Sequence, residues 1–377
     1  MNPVTIKAIA RKEFYHLVRD FRSMYLAFVI PLLMILMFGY ALSLDVDSVK
    51  VVIVDHDKTK ESRELAQKLN ASAYFQIVRQ LNDSLVAVRY LDQGLTTMAI
   101  VIPPGWTEDL KADREASLQV LLDGSDPNFA GISRGYITAF VEAYNRDQLL
   151  SFLNRKGMDE IKAPVDGRIR VWFNEDLESQ NFIVPGIIAI IIMIVGAMLT
   201  SLVIAREYEN GTMETIRSLP VGGGELLLGK AIPYFLIALT DVLVAVFMGQ
   251  VLFGVVMKSS FCLLVLASTI YISVALSLGF LISIATKSQL VANQMAILIT
   301  FLPSLLLSNF VFPIGNMPKI FQMLTYIIPA TYFIDILNGL YLRGLGLSHL
   351  GQSYLILVGM LIVLSYAGFA LLRKEGM

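Results

Sequence analysis

FIVPGIIAIIIMIVGAMLTSLVIA, residues 182–205, is a run without one charged side chain. A membrane core about 30 Å thick is crossed by roughly twenty helical residues, and each buried peptide group must find its hydrogen-bond partner inside that helix. This run therefore predicts a transmembrane helix. Five further stretches pass the same test, at residues 24–44, 231–256, 261–285, 290–312 and 354–372. The sequence thus predicts an α-helical polytopic membrane protein with six transmembrane helices.

The composition of the 377-residue chain supports a membrane location. It is 55% hydrophobic and only 16% charged, whereas charged residues make up about a quarter of an ordinary soluble domain. A net charge of −1 provides no basic excess for nucleic acid, which is not an expected partner. The one cysteine, Cys262, excludes an internal disulfide, and the three histidines lack the spacing of metal ligands. We expect no metal site and, because no nucleophile constellation stands out, no catalytic site.

Lysine and arginine in the loops predict the orientation, because an excess of them marks the cytoplasmic side. Basic residues are frequent before the first span and after the second, and two stand near the end of the sequence. The short segments assigned to the other side hold only Lys258, Lys319 and Arg343. Both termini are therefore expected in the cytoplasm, which requires an even number of spans.

Two apolar segments are expected to lie at the membrane without crossing it. Residues 1–22 place Ile6, Ile9, Phe14 and Leu17 on one helical face, which indicates an amphipathic helix on the inner leaflet. A plain cytoplasmic start of the first span is the alternative. Residues 320–342 are apolar but contain a central proline, Pro329, so we expect two short helices that re-enter from the outer face. If that segment crossed the membrane, the carboxyl terminus would change sides.

Residues 45–181, between the first two spans, have the composition of a soluble domain. Strand and helix patterns alternate there, which predicts a small α/β domain outside the membrane. Strands are expected at 49–54, 74–78, 97–102 and 118–122, and helices at 59–69, 83–91, 106–111 and 132–153. The expected organisation is an interfacial helix (1–22), a first transmembrane helix (23–44), the α/β domain (45–181) and five further transmembrane helices (182–377). The last part includes a long inner loop (206–230) and the outer re-entrant segment (313–343).

Residues 224–231, GELLLGKA, fall one residue short of a phosphate-binding P-loop, because Ala231 stands where a serine or threonine would hold magnesium. The segment also opens a membrane span, whereas a P-loop joins a strand to a helix of a soluble sheet. We expect no ATP binding here. Lys230 is interpreted as a basic anchor at the membrane surface.

The inner loop AREYENGTMETIRSLP, residues 205–220, is unusually polar for a short connection. Thr212 is a candidate cap for a helix that runs to Leu219 and stops before Pro220. The pattern R-E-x-E-x-G-T-x-E in this loop resembles the ABC-2 family of transporter permeases. Three other places are similar to the same family, so the resemblance covers the whole chain: FIVPG at 182–186, LGK at 228–230, and FPIGNMP at 312–318 with IPATYFID at 328–335. The large domain after the first span resembles the multidrug-efflux branch.

The resemblance implies a half-transporter of the bacterial inner membrane. Two identical or related permeases would pair, and an ABC ATPase subunit would dock beneath each. ATP and magnesium would then belong to the ATPase, and this chain would bind no cofactor and catalyse no reaction. Membrane lipids and a periplasmic adaptor protein are further expected partners.

The resemblance also assigns roles to individual residues. The inner loop would couple to the ATPase and offer it the three acidic side chains; the residues concerned are Arg206, Glu207, Glu209, Gly211, Thr212, Glu214 and Pro220. On spacing alone, a solvated loop with local salt bridges explains these acids equally well. The outer re-entrant segment would form a gate at Pro313, Pro318, Pro329, Tyr332 and Asp335.

Polar side chains within the spans are functional candidates, because burying them in lipid is costly. The candidates for a translocation path are Asp241, Asn293, Gln294 and Asn309. Hydrogen bonding between helices is the commoner role of membrane amides. Asp241 could pair with a basic group or relay a proton.

The expected function is export of hydrophobic or amphiphilic, drug-like compounds across the cytoplasmic membrane. Export of lipid or sodium by the same architecture is the nearest alternative. A membrane receptor with an outer ligand-binding domain is a different class, but every inner segment is short for a cytoplasmic output domain. A structural anchor for a partner complex is a third class.

Overall fold

The computed structural model describes residues 2–41, 48–112, 114–125, 127–155, 173 and 179–376. The chain divides into two compact units. One contains Met1–Ser43 and Arg170–Met377, and the other contains Leu44–Ile169.

Helix α1 (Pro3–Arg19) precedes the first apolar segment. The Asn2 side chain caps this helix by accepting a hydrogen bond from Val4 N at 3.0 Å. The apolar face predicted for residues 1–22 divides in the structure: Leu17 is buried in the protein, whereas Phe14 and Val18 are exposed. The helix therefore packs on the protein with one side and leaves apolar side chains available to another surface.

The first apolar segment is interrupted. It consists of α2 (Phe21–Met24), a π-helical turn (Tyr25–Val29) and α3 (Ile30–Ala41). Pro31 lacks a backbone N–H and therefore disturbs the regular hydrogen-bond pattern at this point. The apolar helix here, Ala27–Tyr40, is shorter than the other candidate spans. The sequence predicted one regular span over 24–44; the described part is a broken helix, and residues 42–44 lie outside the described residues.

The second unit contains a four-stranded sheet with helices between the strands. Its elements are β1 (Val49–Asp55), α4 (Lys60–Ala71), β2 (Phe75–Leu81), α5 (Ser84–Asp92), β3 (Met98–Ile102), α6 (Trp106–Lys111), β4 (Gln119–Leu122) and α7 (Pro127–Arg155). The strand order is β2-β1-β3-β4, with β1 parallel to both neighbours and β4 antiparallel to β3. Each element overlaps the one predicted from the sequence, although α7 begins earlier than residue 132. The location of this unit outside the membrane stays a prediction.

Five longer helices are apolar enough to cross a membrane: α8 (Gln180–Glu209), α10 (Gly223–Phe253), α11 (Phe261–Thr286), α12 (Gln289–Leu306) and α15 (Leu347–Lys374). A short helix, α9 (Thr212–Ser218), lies between α8 and α10. Residues 224–231 form the first turns of α10, so the sequence that resembles a P-loop is helical. The described chain is therefore mostly helical, which is consistent with a polytopic membrane protein whose spans are helices.

The segment between α12 and α15 contains two short helices, as predicted. They are α13 (Lys319–Thr325) and α14 (Pro329–Asn338), and a π-helical turn (Gly339–Arg343) extends α14. The two are bent by 78° at the break before Pro329. If this bent pair is counted as one span, the described chain has six candidate spans instead of five. The predicted total of six, which included residues 24–44, stays a prediction.

Helix α8 is the centre of the helical unit. In an apolar stretch of 18 residues of α8, 94% of the residues are buried, against 17–44% in the corresponding stretches of the other four long helices. It packs against α3, α10, α11, α12 and α14. Tyr271 of α11 illustrates the packing: its hydroxyl donates to the Ala189 carbonyl of α8 at 3.0 Å, and its ring stacks on Phe333 of α14 at 4.1 Å.

Candidate coupling site

A buried lysine joins three helices at the junction between α1, the end of α8 and the start of α10. Lys230 of α10 is 2% exposed, and its Nζ lies 3.1 Å from Glu13 Oε2 and 2.7 Å from Glu207 Oε1. Tyr234 donates its hydroxyl to Glu13 Oε1 at 3.0 Å. A buried ammonium is tolerated only where carboxylates and hydrogen bonds compensate its lost hydration. The two carboxylates therefore hold α1 and α8 against α10.

Glu207 extends this junction to the inner loop. The Thr212 hydroxyl, at the start of α9, donates to Glu207 Oε2, and Lys12 Nζ of α1 lies 3.5 Å from Glu207 Oε1. One carboxylate thus contacts α1, α9 and α10 at the same time. We call Glu13, Glu207, Thr212, Lys230 and Tyr234 the buried junction.

Close backbone packing accompanies the buried junction. Gly229 immediately precedes Lys230, and a Cβ at position 229 would lie 2.8 Å from Ile9 Cβ of α1. That distance is too short for two non-bonded carbon atoms, so only glycine lets α1 approach α10 this closely. The glycine therefore brings Glu13 within reach of Lys230.

Helix α9 is anchored on one side and exposed on the other. Met213 is buried beneath it, whereas Glu214 is exposed and Leu219, at the end of the helix, is 53% exposed. The sequence predicted Thr212 as the helix cap, but Gly211 is the capping residue, with φ +71°. That left-handed conformation suits glycine, and the Thr212 hydroxyl is used instead to bind Glu207.

The three loop acids have different environments. The expectation that all three offer carboxylates to a partner is corrected for Glu207, which is turned into the buried junction. Glu209 accepts hydrogen bonds from Gln289 N at 2.8 Å and Gln289 Nε2 at 2.6 Å, which ties α8 to the start of α12. Glu214 remains exposed, and Pro220 is exposed beyond the end of α9. Arg206 is also held internally, 3.6 Å from Asp20 and 2.9 Å from His16.

A second group of charges lies around Glu375. Its carboxylate is 2.7 Å from Lys287 Nζ and 3.3 Å from both the Arg217 guanidinium and the Tyr208 hydroxyl. The hydrogen bond from Lys287 lowers the pKa of Glu375, and the same bond raises the pKa of Lys287. These side chains connect α9 to the ends of α11 and α15. Because these side chains are partly exposed to solvent, each pair contributes little to stability.

The other predicted residues lie elsewhere in the helical unit. Asp241 lines a small cavity with residues of α3 and α8, and the described lining residues do not include Asn293, Gln294 or Asn309. Asn309 has φ +66° and accepts a hydrogen bond from Ile314 N at 3.0 Å. The four proposed path residues therefore do not line one cavity.

The predicted gate residues lie in or next to the short helices of the bent segment between α12 and α15. Pro318 precedes α13 and Pro329 begins α14, while Pro313 precedes a single 3₁₀ turn (Ile314–Asn316). The Tyr332 hydroxyl donates to the Tyr326 carbonyl at 3.0 Å across the break. Asp335 accepts from the Ser353 hydroxyl at 2.6 Å, which links α14 to α15.

Sequence reasoning missed Glu13 and Tyr234 and misassigned Lys230. A lysine at the start of a span is typical of a surface anchor, but Lys230 is buried in an ion-pair network. The acidic Glu13 within a basic amphipathic helix was the one signal in the sequence that pointed to such a partner.

Comparisons with known proteins identify the family of the chain. The family model for ABC-2 family transporter proteins matches residues 22–370. The chain is 34% identical over 340 residues to the probable multidrug ABC transporter permease YbhS of Escherichia coli K12, which is 90% of this chain and 89% of that protein. It is 27% identical to the probable multidrug ABC transporter permease YbhR of the same organism, over 98% of each chain. The inner membrane transport permease YhhJ is 28% identical over 71% of this chain and 70% of its own length.

The family model spans the sheet-containing unit and most of the helical unit, and its range includes Glu207, Thr212, Lys230 and Tyr234 of the buried junction, whereas Glu13 precedes it. The chain therefore belongs to the ABC-2 family of transporter proteins.

Proposed function

We propose that this chain is the permease subunit of an ABC exporter in a bacterial inner membrane. It would move hydrophobic or amphiphilic compounds out of the cell, using ATP hydrolysed by a separate ABC ATPase, and two permeases would form one transporter. The observation that carries the proposal is the buried junction, which connects the exposed helix α9 with three other helices of the helical unit: α1, α8 and α10.

Helix α9 has the properties of a docking element. It exposes an acidic side chain in its first turn, Glu214, and an apolar one just after its last turn, Leu219, and interfaces commonly combine such groups. Its other side is fixed by the buried Met213 and by the bond from Thr212 to Glu207. A partner that moves α9 would therefore move the attached helices as well.

The path of that movement follows direct contacts. Thr212 binds Glu207 near the end of α8, Glu207 binds Lys230 of α10, and Lys230 binds Glu13 of α1. Since α8 is the central helix, a displacement at its end changes its packing against several neighbours. Conversion of a small local shift into a change of helix packing is a known form of switching.

An apolar groove supports the proposed substrate class. It lies between α10, α11 and α15 with a volume of about 630 Å³, in the range of small-molecule sites. The lining is aliphatic and aromatic, with the hydroxyls of Ser273, Ser277 and Ser365 as its polar groups. Such a surface suits an amphiphile, and a lipid acyl chain is the nearest alternative occupant.

The test is reconstitution with an ATPase. The chain is co-expressed with each ABC ATPase of its source genome, the complex that copurifies is placed in proteoliposomes, and ATP hydrolysis is measured with and without the permease. Transport is then followed with a lipophilic fluorescent cation, a fluorescent phospholipid and radioactive sodium. We expect stimulated hydrolysis and movement of the cation. Copurification with no ATPase would overturn the proposal, and movement of phospholipid or sodium alone would overturn the substrate class.

A further inference from the structure

Asp241 is a carboxylic acid buried in the apolar part of α10. Its side chain is 9% exposed, and its Oδ2 atom has no hydrogen-bond partner among the described residues. Buried carboxyl groups are normally paired with a cation or satisfied by hydrogen bonds, because removing a carboxylate from water is costly. The burial of an unpaired Asp241 carboxyl therefore requires another explanation.

The carboxyl lines a cavity of about 10 Å³, which is room for one water molecule at most. The cavity lies between α10, α8 and the first apolar segment, where Pro31 follows the π-helical turn. The other described lining residues carry no ionisable group, and examples are Ile188, Val195 and Ala245. The environment of the acid is thus apolar on all three helices.

Charged groups on these helices are far from the cavity. Lys230, on α10 itself, precedes Asp241 by 11 residues, which is about 16 Å along a helix axis, and it is bound to Glu13 and Glu207. The remaining described titratable groups on the three packed elements are Tyr25 and Tyr40 on the first segment, Arg206, Glu207, Tyr208 and Glu209 on α8, and Glu225 and Tyr234 on α10. Tyr234 lies about two helical turns before Asp241, and its hydroxyl is bound to Glu13. None of them lines the cavity.

These observations favour a proton over a metal cation as the bound species. Hard metal cations take about six or more oxygen ligands, whereas the cavity offers a single carboxyl side chain. One proton is enough to neutralise Asp241. We propose that Asp241 is a proton-binding site within the membrane and that its proton stabilises the packing of the first apolar segment against α8 and α10.

Packing and protonation are linked through the cavity. We call the packing seen in the structure, with this cavity shut off from water, the closed arrangement. An ionised Asp241 would face aliphatic side chains there, so the closed arrangement retains the proton. Movement at Pro31 and the adjacent π-helical turn would open the cavity to water, where the carboxylate is hydrated and the proton can leave. By linkage, a rise in pH therefore favours the open arrangement, and a fall in pH favours the closed one.

Infrared spectroscopy tests the protonation state directly. Spectra of the full-length protein in lipid nanodiscs at neutral pH are compared with those of Asp241→Asn, which has the same shape and cannot ionise. We expect the difference spectrum to contain the carbonyl band of a protonated carboxylic acid, which moves in heavy water. A pair of carboxylate bands in its place would overturn the proposal. If Asp241→Asn does not accumulate, Asp241→Glu is used in its place. Asp241→Glu keeps a carboxyl group, so the band of the protonated acid should persist at a shifted position.

Substitutions at two neighbouring positions test whether the protonated acid lies in this cavity. Ala245 is buried and lines the cavity, whereas Val244 is exposed and is not among the described lining residues. A hydroxyl in the cavity can hydrogen-bond the acid, so Ala245→Ser is expected to shift the acid band and Val244→Ser to leave it unchanged. Equal spectra for both variants would place the protonated acid outside this cavity.

Thermal unfolding as a function of pH tests the link to packing. The apparent Tm of the wild type is expected to fall relative to that of Asp241→Asn as the pH rises above about 4, because the unfolded wild type then releases the proton that the folded protein retains. The same pH dependence in both proteins would overturn the stabilising role of the proton.

Discussion

Lys230 Nζ lies 2.7 Å from Glu207 Oε1, and the exposed helix α9 falls between these two residues in the sequence. The ion pair closes a loop whose tip is accessible and whose base is buried. Force applied at the tip therefore reaches the base through side-chain contacts.

Replacing Lys230 with methionine is expected to destabilise the protein strongly. The variant Lys230→Met leaves the carboxylates of Glu13 and Glu207 buried without their cation, a change that typically costs about 3–5 kcal/mol. Thermal unfolding in nanodiscs measures the effect. The matched control is Lys287→Met, because Lys287 pairs with Glu375 at an exposed site, where a pair is worth at most about 1 kcal/mol. Equal losses of Tm in the two variants would contradict the structural role of the buried junction.

The exposed end of α9 is expected to bind the ATPase without supporting the fold. Leu219→Ser should weaken copurification of the ATPase roughly tenfold or more, because fully burying a leucine side chain against a partner contributes about 1.5–3 kcal/mol. The Tm of the permease should stay the same, since Leu219 is 53% exposed. The control is Leu85→Ser, which changes another exposed leucine in the sheet-containing unit. If both variants bind the ATPase as the wild type does, α9 is not the docking element.

A methyl group at position 229 is expected to separate α1 from α10. Gly229→Ala places a Cβ 2.8 Å from Ile9 Cβ, and overpacking of this kind costs about 1–3 kcal/mol. The added variant Ile9→Gly removes the contacting Cβ, so it should lower the Tm less in Gly229→Ala than in the wild type. Gly351→Ala in α15 serves as the control, because a Cβ there meets no atom within 4 Å. A Gly229→Ala protein as stable as this control would show that α1 does not depend on the close approach.

The sheet-containing unit is expected to loosen in acid at Asp57. Although burial opposes ionisation, hydrogen bonds from Thr107 and Thr59 hold the pKa of Asp57 below its ordinary value of 3.8. The bonds join the end of β1 to the start of α6, with Thr107 N at 3.2 Å from Asp57 Oδ2. Because the folded pKa is depressed, this stabilisation is complete above pH 3.8 and is lost as the pH falls through the folded value.

Hydrogen exchange of α6, corrected for the intrinsic rate at each pH, measures this loss. The wild type should lose protection in that acidic range, and Asp57→Asn should have lower protection at neutral pH and a weaker pH dependence. Wild-type protection that does not change on acidification would contradict the assignment.

The sequence predicted the long helices well because their signal is local. A run such as 182–205 has no charged residue, and the intrachain hydrogen bonds of a helix depend only on neighbours a few residues away. The same holds for the alternating elements between Val49 and Arg155. The π-helical turn at Tyr25–Val29 was not predicted, because the effect of Pro31 depends on the helices packed around it.

The buried junction could not be predicted for the opposite reason. Lys230 and Glu13 are 217 positions apart, and a lysine beside a membrane span is usually a surface residue. Only the packing of α1 on α10 brings the two together. Likewise, the polar loop pattern identified the region of Glu207, but its orientation towards Lys230 depends on the fold.

The burial of α8 has a consequence for how such a protein can move. A helix that touches protein on almost every side cannot tilt while its neighbours stay still, because close-packed interiors do not deform smoothly. Any intermediate position would expose internal surface to acyl chains and leave side chains without contacts. We therefore expect the molecule to change state in abrupt, all-at-once rearrangements, with no long-lived halfway forms.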